Sequence, residues 1–276
     1  MNFCDTNGDV PYQKCNHPFT LSAKEKECVE KFLSNIGSTS AIGENECRAF
    51  RFLAARKFNI QEAIELYQAY EAFLRAEGIT VIDPFDENVR CELLSGKFTI
   101  LNDSDLSGAR VAQFFVRLHR PARSTHKAFL QSVMFQLNAA LRKETAVRNG
   151  IILIYDMTNA KYSNFDADLL KKLFNMLKSC YPIRLRRIII LTAPFWFRAP
   201  FHLVRVFIKE ELRDRVHVLR PLPGSRLASL SNPDPAVAQK AHFSWLLSAL
   251  SETVAIPNEF SMIGKIALLV ICLAVR

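Results

Sequence analysis

The chain has 276 residues, 49% of them hydrophobic and 23% charged, enough apolar material for one large core or two small ones and too much for a disordered chain. Its formal net charge of +9 favours anionic partners such as nucleic acid or a phospholipid surface. The seven cysteines, Cys4, Cys15, Cys28, Cys47, Cys91, Cys180 and Cys272, are odd in number and form no C-x-x-C pair. That argues against a disulfide framework or zinc knuckle and implies a reducing compartment.

Residues 1–20 hold no apolar run and include Asp5 and Asp9, so no secretory leader is expected and the chain is placed in the cytoplasm. Residues 21–36, with Val29, Phe32, Leu33 and Ile36, and residues 44–58, with Cys47, Phe50, Leu53, Ala54 and Phe58, carry apolar side chains at helical spacing. Asn59 suits the N-cap of a third helix over 61–75. The three should fold as a small bundle ending near Gly78.

Strand and helix then alternate, the mark of an α/β layer with parallel pairing. Residues 98–101 and 111–118 flank an Asp105-Leu106-Ser107-Gly108 turn and read as a hairpin, and 124–141 is an amphipathic helix with Ser124 as its cap. The run 150–157 (GIILIYDM) fits a strand covered on both faces. Residues 165–180 read as helix, 187–191 and 216–219 as strands, and 196–211 as a helix apolar over much of its surface. Five prolines break the pattern after residue 220, leaving only 242–250 as a helix. Residues 266–275 are an unbroken apolar run, shorter than the roughly 20 residues a spanning helix needs. They read as a buried strand or tail, or as a shallow anchor.

One catalytic signature is present in letter form. Residues 180–186 (CYPIRLR) satisfy C-x5-R, the phosphate loop of cysteine phosphatases. That loop must join a strand to a helix N-terminus with its amides converging, whereas here Cys180 ends a helix, Pro182 has no amide hydrogen and a strand follows. Cys180 therefore reads as a buried small hydrophobe. Dinucleotide, P-loop, nucleophile-elbow and zincin motifs are absent from the sequence, and no cofactor or metal is expected. Asp156, at the end of a buried strand, reads as a turn or cap residue.

Positive charge is more informative. Between residues 184 and 220 nine Arg or Lys stand against Glu210, Glu211 and Asp214, interleaved with Phe195, Trp196, Phe197, Phe201, Val204 and Phe207. An ordinary core helix and an interfacial helix lying on anionic lipid both accommodate this pattern.

These segments resemble, in order, the motifs of the Sec14-like (CRAL-TRIO) lipid-binding family. Residues 48–63 (RAFRFLAARKFNIQEA) resemble its R-F-L-R-A-R-K-F-D element, 150–157 its central cavity strand, and 181–197 (YPIRLRRIIILTAPFWF) its Y-P-E-R-L-K-K-I segment. Residues 94–102 (LSGKFTILN), 148–150 and 193–198 are similar to the branch in which a non-receptor tyrosine phosphatase domain follows the lipid domain. The resemblance implies an α/β fold: an N-terminal tail (1–17), a three-helix bundle (18–78) packed on a lipid-binding domain (79–220) with a mobile gate helix, and a divergent tail (221–276). It implies non-catalytic binding, and transfer, of phosphoinositides or other anionic phospholipids at a vesicle or endomembrane surface, with no nucleic acid partner. The alternative is the lipid-targeting part of a CRAL-TRIO-containing tyrosine phosphatase. The resemblance also assigns Arg56, Arg184 and Arg215 to the lipid head group, and Trp196, Phe197, Phe201 and Phe207 to the gate and membrane contact. Ile183 replaces the acidic residue after Tyr-Pro and Leu212 replaces a threonine of the yeast-type carriers, which argues against phosphatidylinositol exchange of that type.

Overall fold

The computed structural model describes residues 19–37, 42–105, 107–197 and 216–219. The helical start comprises α1 (Ala23–Asn35), α2 (Ile42–Ala55) and α3 (Ile60–Ala76), followed by a short α4 (Glu87–Leu94) outside the sequence expectation. Helix starts are chemically marked. The Ser22 hydroxyl accepts from the Glu25 amide while the Glu25 carboxylate accepts from the Ser22 amide, satisfying two orphan donors. Asn59 caps α3 at Glu62, as expected, and Asp86 caps α4 at Asn88 and Val89; such caps contribute about 1 kcal/mol each. The three helices meet through aromatic rings: Phe32 lies 6.0 Å from Phe52, and Tyr67 meets both edge-on at 6.2 and 5.4 Å.

An ion cluster fastens α1 and α2 to α6 (Glu144–Asn149). Arg148 donates to Glu144 at 2.6 Å, to Glu25 at 2.7 Å and to the Thr20 carbonyl at 3.1 Å, with its guanidinium 4.9 Å above the Phe50 ring. The hydrogen bond from Arg148 holds the Glu25 carboxyl down at about 2.

The sheet has the order β1-β2-β3-β4-β5. β1 (Phe98–Ser104) and β2 (Arg110–Phe115) form the expected antiparallel hairpin, closed by the Asp105 carboxylate, which accepts from the amides of Ser107 and Ala109. β3 (Ile151–Asp156), β4 (Leu185–Leu191) and β5 (Val216–Leu219) continue in parallel, so Phe115, Asp156 and Leu191 stand side by side at one edge. β3 is buried on both faces, as its apolar run requires. Ile151, Leu153 and Tyr155 join a core shared with the three N-terminal helices, α5 (His126–Ala140) and α7 (Ala167–Asn175). Ile152 and Ile154, with Phe115 and Leu191, face the other way and are buried apart from that core. Asp156 takes the turn role: one oxygen accepts from the Thr158 amide at 2.9 Å and the other from Gln113 at 3.1 Å, while burial pushes its carboxyl up.

Three local expectations change. β2 stops at Phe115 and the chain turns through a 3-10 segment, Val116–Leu118. The cap of α5 is Thr125, because the Ser124 hydroxyl is engaged elsewhere, donating to Glu92 at 2.7 Å and accepting from Lys97 at 3.1 Å. Lys97 is buried, pairs with Glu92 and lies 3.5 Å from His119. Burial, reinforced by the Lys97 charge, drives His119 down to about 4. Finally, the helix over 165–180 ends at Asn175 and continues as a π-helical turn, Met176–Cys180. Among the described residues no helix is long and apolar enough to cross a membrane.

Candidate functional site

A cleft of about 950 Å³ opens where the end of α2 and the start of α3 face the π-helical turn and the entry to β4. Its first wall depends on an abrupt reversal. Lys57 and Phe58 are both left-handed, at φ 52° and 64°, a conformation that costs non-glycine residues roughly 1–2 kcal/mol each. The turn is held by the Phe58 amide, which donates to the Leu53 carbonyl at 2.7 Å, and by the Phe58 ring, 5.8 Å from Phe50. It sets Arg56 and Lys57 on the cleft, immediately before the capped start of α3. Strain of this kind is commonly stored at binding sites.

The opposite wall supplies Lys178 and Ser179 from the π-helical turn and Ile183, Arg184, Leu185 and Arg186 from the approach to β4. Five cationic side chains thus converge, against Glu62 and Glu65 of α3. Arg56 is half-buried, and desolvation draws its guanidinium below its ordinary range, opposed by the attraction of Glu62. Arg186 donates to the Ser107 hydroxyl at 2.6 Å. A partly desolvated cluster of guanidinium forks can take phosphate or carboxylate oxygens with charge-assisted hydrogen bonds.

The structure therefore brings Arg56 and Arg184 together from distant parts of the chain. It adds Lys57, Lys178 and Arg186, of which Arg186 was legible as part of the same basic run and Lys178 was not. Arg215, Phe201 and Phe207, and the gate helix beyond residue 197, lie outside the described residues. Trp196 is half-buried against Tyr162 and Phe165. Phe197 is buried in the core, 6.2 Å from Tyr155 and 5.7 Å from Phe165, and Phe195 takes the exposed position beside it. Cys180 is buried and feels the charge of Arg56; burial pushes its thiol up, with Arg56 pulling the other way. It closes a helical turn and β4 follows, so residues 180–186 lack the strand-to-helix loop that phosphate-loop chemistry needs.

The CRAL/TRIO domain pattern matches residues 94–234. The human tyrosine-protein phosphatase non-receptor type 9 is 39% identical over 206 residues, covering 72% of this chain and 34% of that protein. Clavesin-1 of Xenopus laevis is 25% identical over 185 residues, 65% of this chain and 54% of the relative. The human alpha-tocopherol transfer protein-like protein is 26% identical over 183 residues, 65% and 52% respectively. The chain spans about a third of the length of the phosphatase it matches.

Proposed function

The chain belongs to the CRAL/TRIO domain family of lipid-binding modules, and on that premise we propose that it binds phosphoinositides or other anionic phospholipids at cytosolic membrane surfaces. The observation that carries this reading is the meeting of Arg56 and Arg184 in one cleft with Lys57, Lys178 and Arg186. Phosphate oxygens of a head group would be taken by the two guanidinium forks, with Leu66, Ala69, Ile183 and Leu185 lining the cleft beside them. Arg215 is a third head-group candidate from its match to the family. Ile152, Ile154, Phe115 and Leu191 make the second face of the sheet apolar, apart from the helical core, and an apolar ligand is proposed to lie on that side. Trp196, Phe201 and Phe207 are proposed as gate contacts with the membrane; Phe197 would join them only when the gate opens, since it is buried in the described conformation.

The mechanism is binding and extraction, with no covalent step. Similarity confined to about a third of a tyrosine phosphatase supports a second reading, the lipid-targeting part of such an enzyme. Turnover of p-nitrophenyl phosphate that disappears in Cys180→Ser would contradict the non-catalytic reading.

Sedimentation with vesicles tests the lipid claim. Binding should be tighter to phosphatidylcholine vesicles containing phosphoinositide than to pure phosphatidylcholine, and should weaken as salt screens exposed charge within about 10 Å at 0.1 M. Equal sedimentation with both vesicle types contradicts it.

A further inference from the structure

The loops that follow β2, β3 and β4 leave the sheet at the same edge, because Phe115, Asp156 and Leu191 are in register. Contacts tie these loops together. Asn164 donates to the His119 carbonyl at 2.9 Å, and Tyr162 meets Trp196 edge-on at 5.5 Å. Each loop displays an apolar side chain: Leu118 is 38% exposed, Tyr162 68% and Phe195 80%. Large apolar groups gathered on one exposed edge mark an interaction surface.

The charge around this edge is predominantly positive. Residues 116–125, 157–166 and 192–197 carry Arg117, Arg120, Arg123 and Lys161 and a single acid, Asp166. Asp166 is occupied: it caps α7 at the Leu169 amide and pairs with His126 at 2.9 Å. Arg120, Arg123 and Lys161 are exposed, and among the described residues they form no ion pair. Cations fringing exposed aromatic and aliphatic groups complement an anionic bilayer, with the rings in the interface and the charges at phosphate level.

The basic cleft lies elsewhere. Arg184 and Arg186 stand at the start of β4 and Phe195 beyond its end, and seven residues of strand span about 20 Å. We infer that the loop edge of Leu118, Tyr162 and Phe195, fringed by Arg120, Arg123 and Lys161, is a docking face for an anionic membrane, separate from the cleft that reads the head group. The inference rests on the lipid-binding reading, and it adds that docking and head-group recognition are independent.

The test measures two quantities on the same preparations: partition onto phosphatidylcholine–phosphatidylserine vesicles without phosphoinositide, and binding of soluble inositol hexakisphosphate. The variants are Arg120→Glu with Arg123→Glu, and Tyr162→Ser with Phe195→Ser, all at exposed positions, with thermal melting as the folding control. Each pair should lower vesicle partition about tenfold or more, leave melting unchanged and leave inositol hexakisphosphate binding intact. Arg56→Ala with Arg184→Ala should do the reverse. Unchanged vesicle partition in both loop variants overturns the docking face, as would be found if the edge serves a protein partner. So does failure of the wild-type chain to bind these vesicles, or a joint loss of both activities at normal melting. Vesicle binding that responds to the loop variants, with no inositol hexakisphosphate binding in any protein, sustains the docking face and overturns the head-group reading.

Discussion

Gly150 and the carbonyl of Arg184 approach so closely that a Cβ on Gly150 would lie 2.2 Å from the carbonyl oxygen. Gly150 is also left-handed, at φ 77°, and the next amide, Ile151, donates to that same carbonyl at 2.9 Å. The glycine thus lets β3 start against the residue that carries a cleft guanidinium. Gly150→Ala should destabilise the chain by about 2 kcal/mol or more, from backbone strain and overpacking together, and should weaken head-group binding by shifting Arg184. Chemical denaturation measures the first effect; unchanged stability would show that the backbone yields freely here.

Arg148 is the fastening between the helical start and α6, and its loss would leave Glu25 and Glu144 without their main partner. The folded Glu25 carboxyl sits near 2, below its ordinary 4.5. Its contribution is therefore fully present above about pH 4.5 and is lost as pH falls toward 2. Arg148→Met should remove about 1 kcal/mol at neutral pH, discounted because the side chain is partly exposed, and should flatten that part of the acid stability curve. Parallel acid curves for the two proteins would contradict this role.

His119 acts in a different pH window. It is buried and neutral, facing Lys97, Asp166 and His126, and its folded value of about 4 lies below the ordinary 6.5. The unfolded chain takes up the proton first, so stability should fall as pH drops from 6.5 to 4, by up to about 3 kcal/mol. His119→Asn should lose this acid-sensitive component, whatever its cost at neutral pH. A stability curve that is flat for wild type between pH 6.5 and 4 would contradict the burial argument.

Cys180 should be slow to alkylate in the folded chain, since its thiol is buried and pushed up and the thiolate is the reactive form. Cys180→Ser should leave lipid binding unchanged. Iodoacetamide labelling at the rate of an exposed cysteine would show the thiol to be accessible.

Long periodic or uniformly apolar segments were legible in the sequence. The run 150–157 gave a strand buried on both faces, Asn59 gave the cap of α3, and residues 216–219 gave β5 to the residue. Short helices were not: α4 has eight residues and α6 six, too few turns for a periodic signal. The Ser124 cap failed because a neighbouring buried lysine claims that hydroxyl, a long-range competition that no local pattern contains. The cleft was half-legible. Arg56 and Arg184 came from resemblance to a family, whereas Lys178 joins them only because a π-helical turn swings it beside α3, and single-sequence periodicity does not register such a turn. Trp196 and Phe197 were both assigned to the gate and membrane contact, yet a 3-10 turn there sends Phe195 outward and Phe197 into the core.

The central claim is that Arg56 and Arg184 act together on one anionic head group. The direct measurement is a titration of inositol hexakisphosphate into wild type, Arg56→Met, Arg184→Met and the double variant, with melting temperature as control. Each single change should weaken binding about tenfold or more, as expected for removing a charge-assisted fork. The double change should cost less than the sum of the two, because residues sharing one ligand are coupled. Binding that is unchanged in both single variants at normal melting would contradict the account.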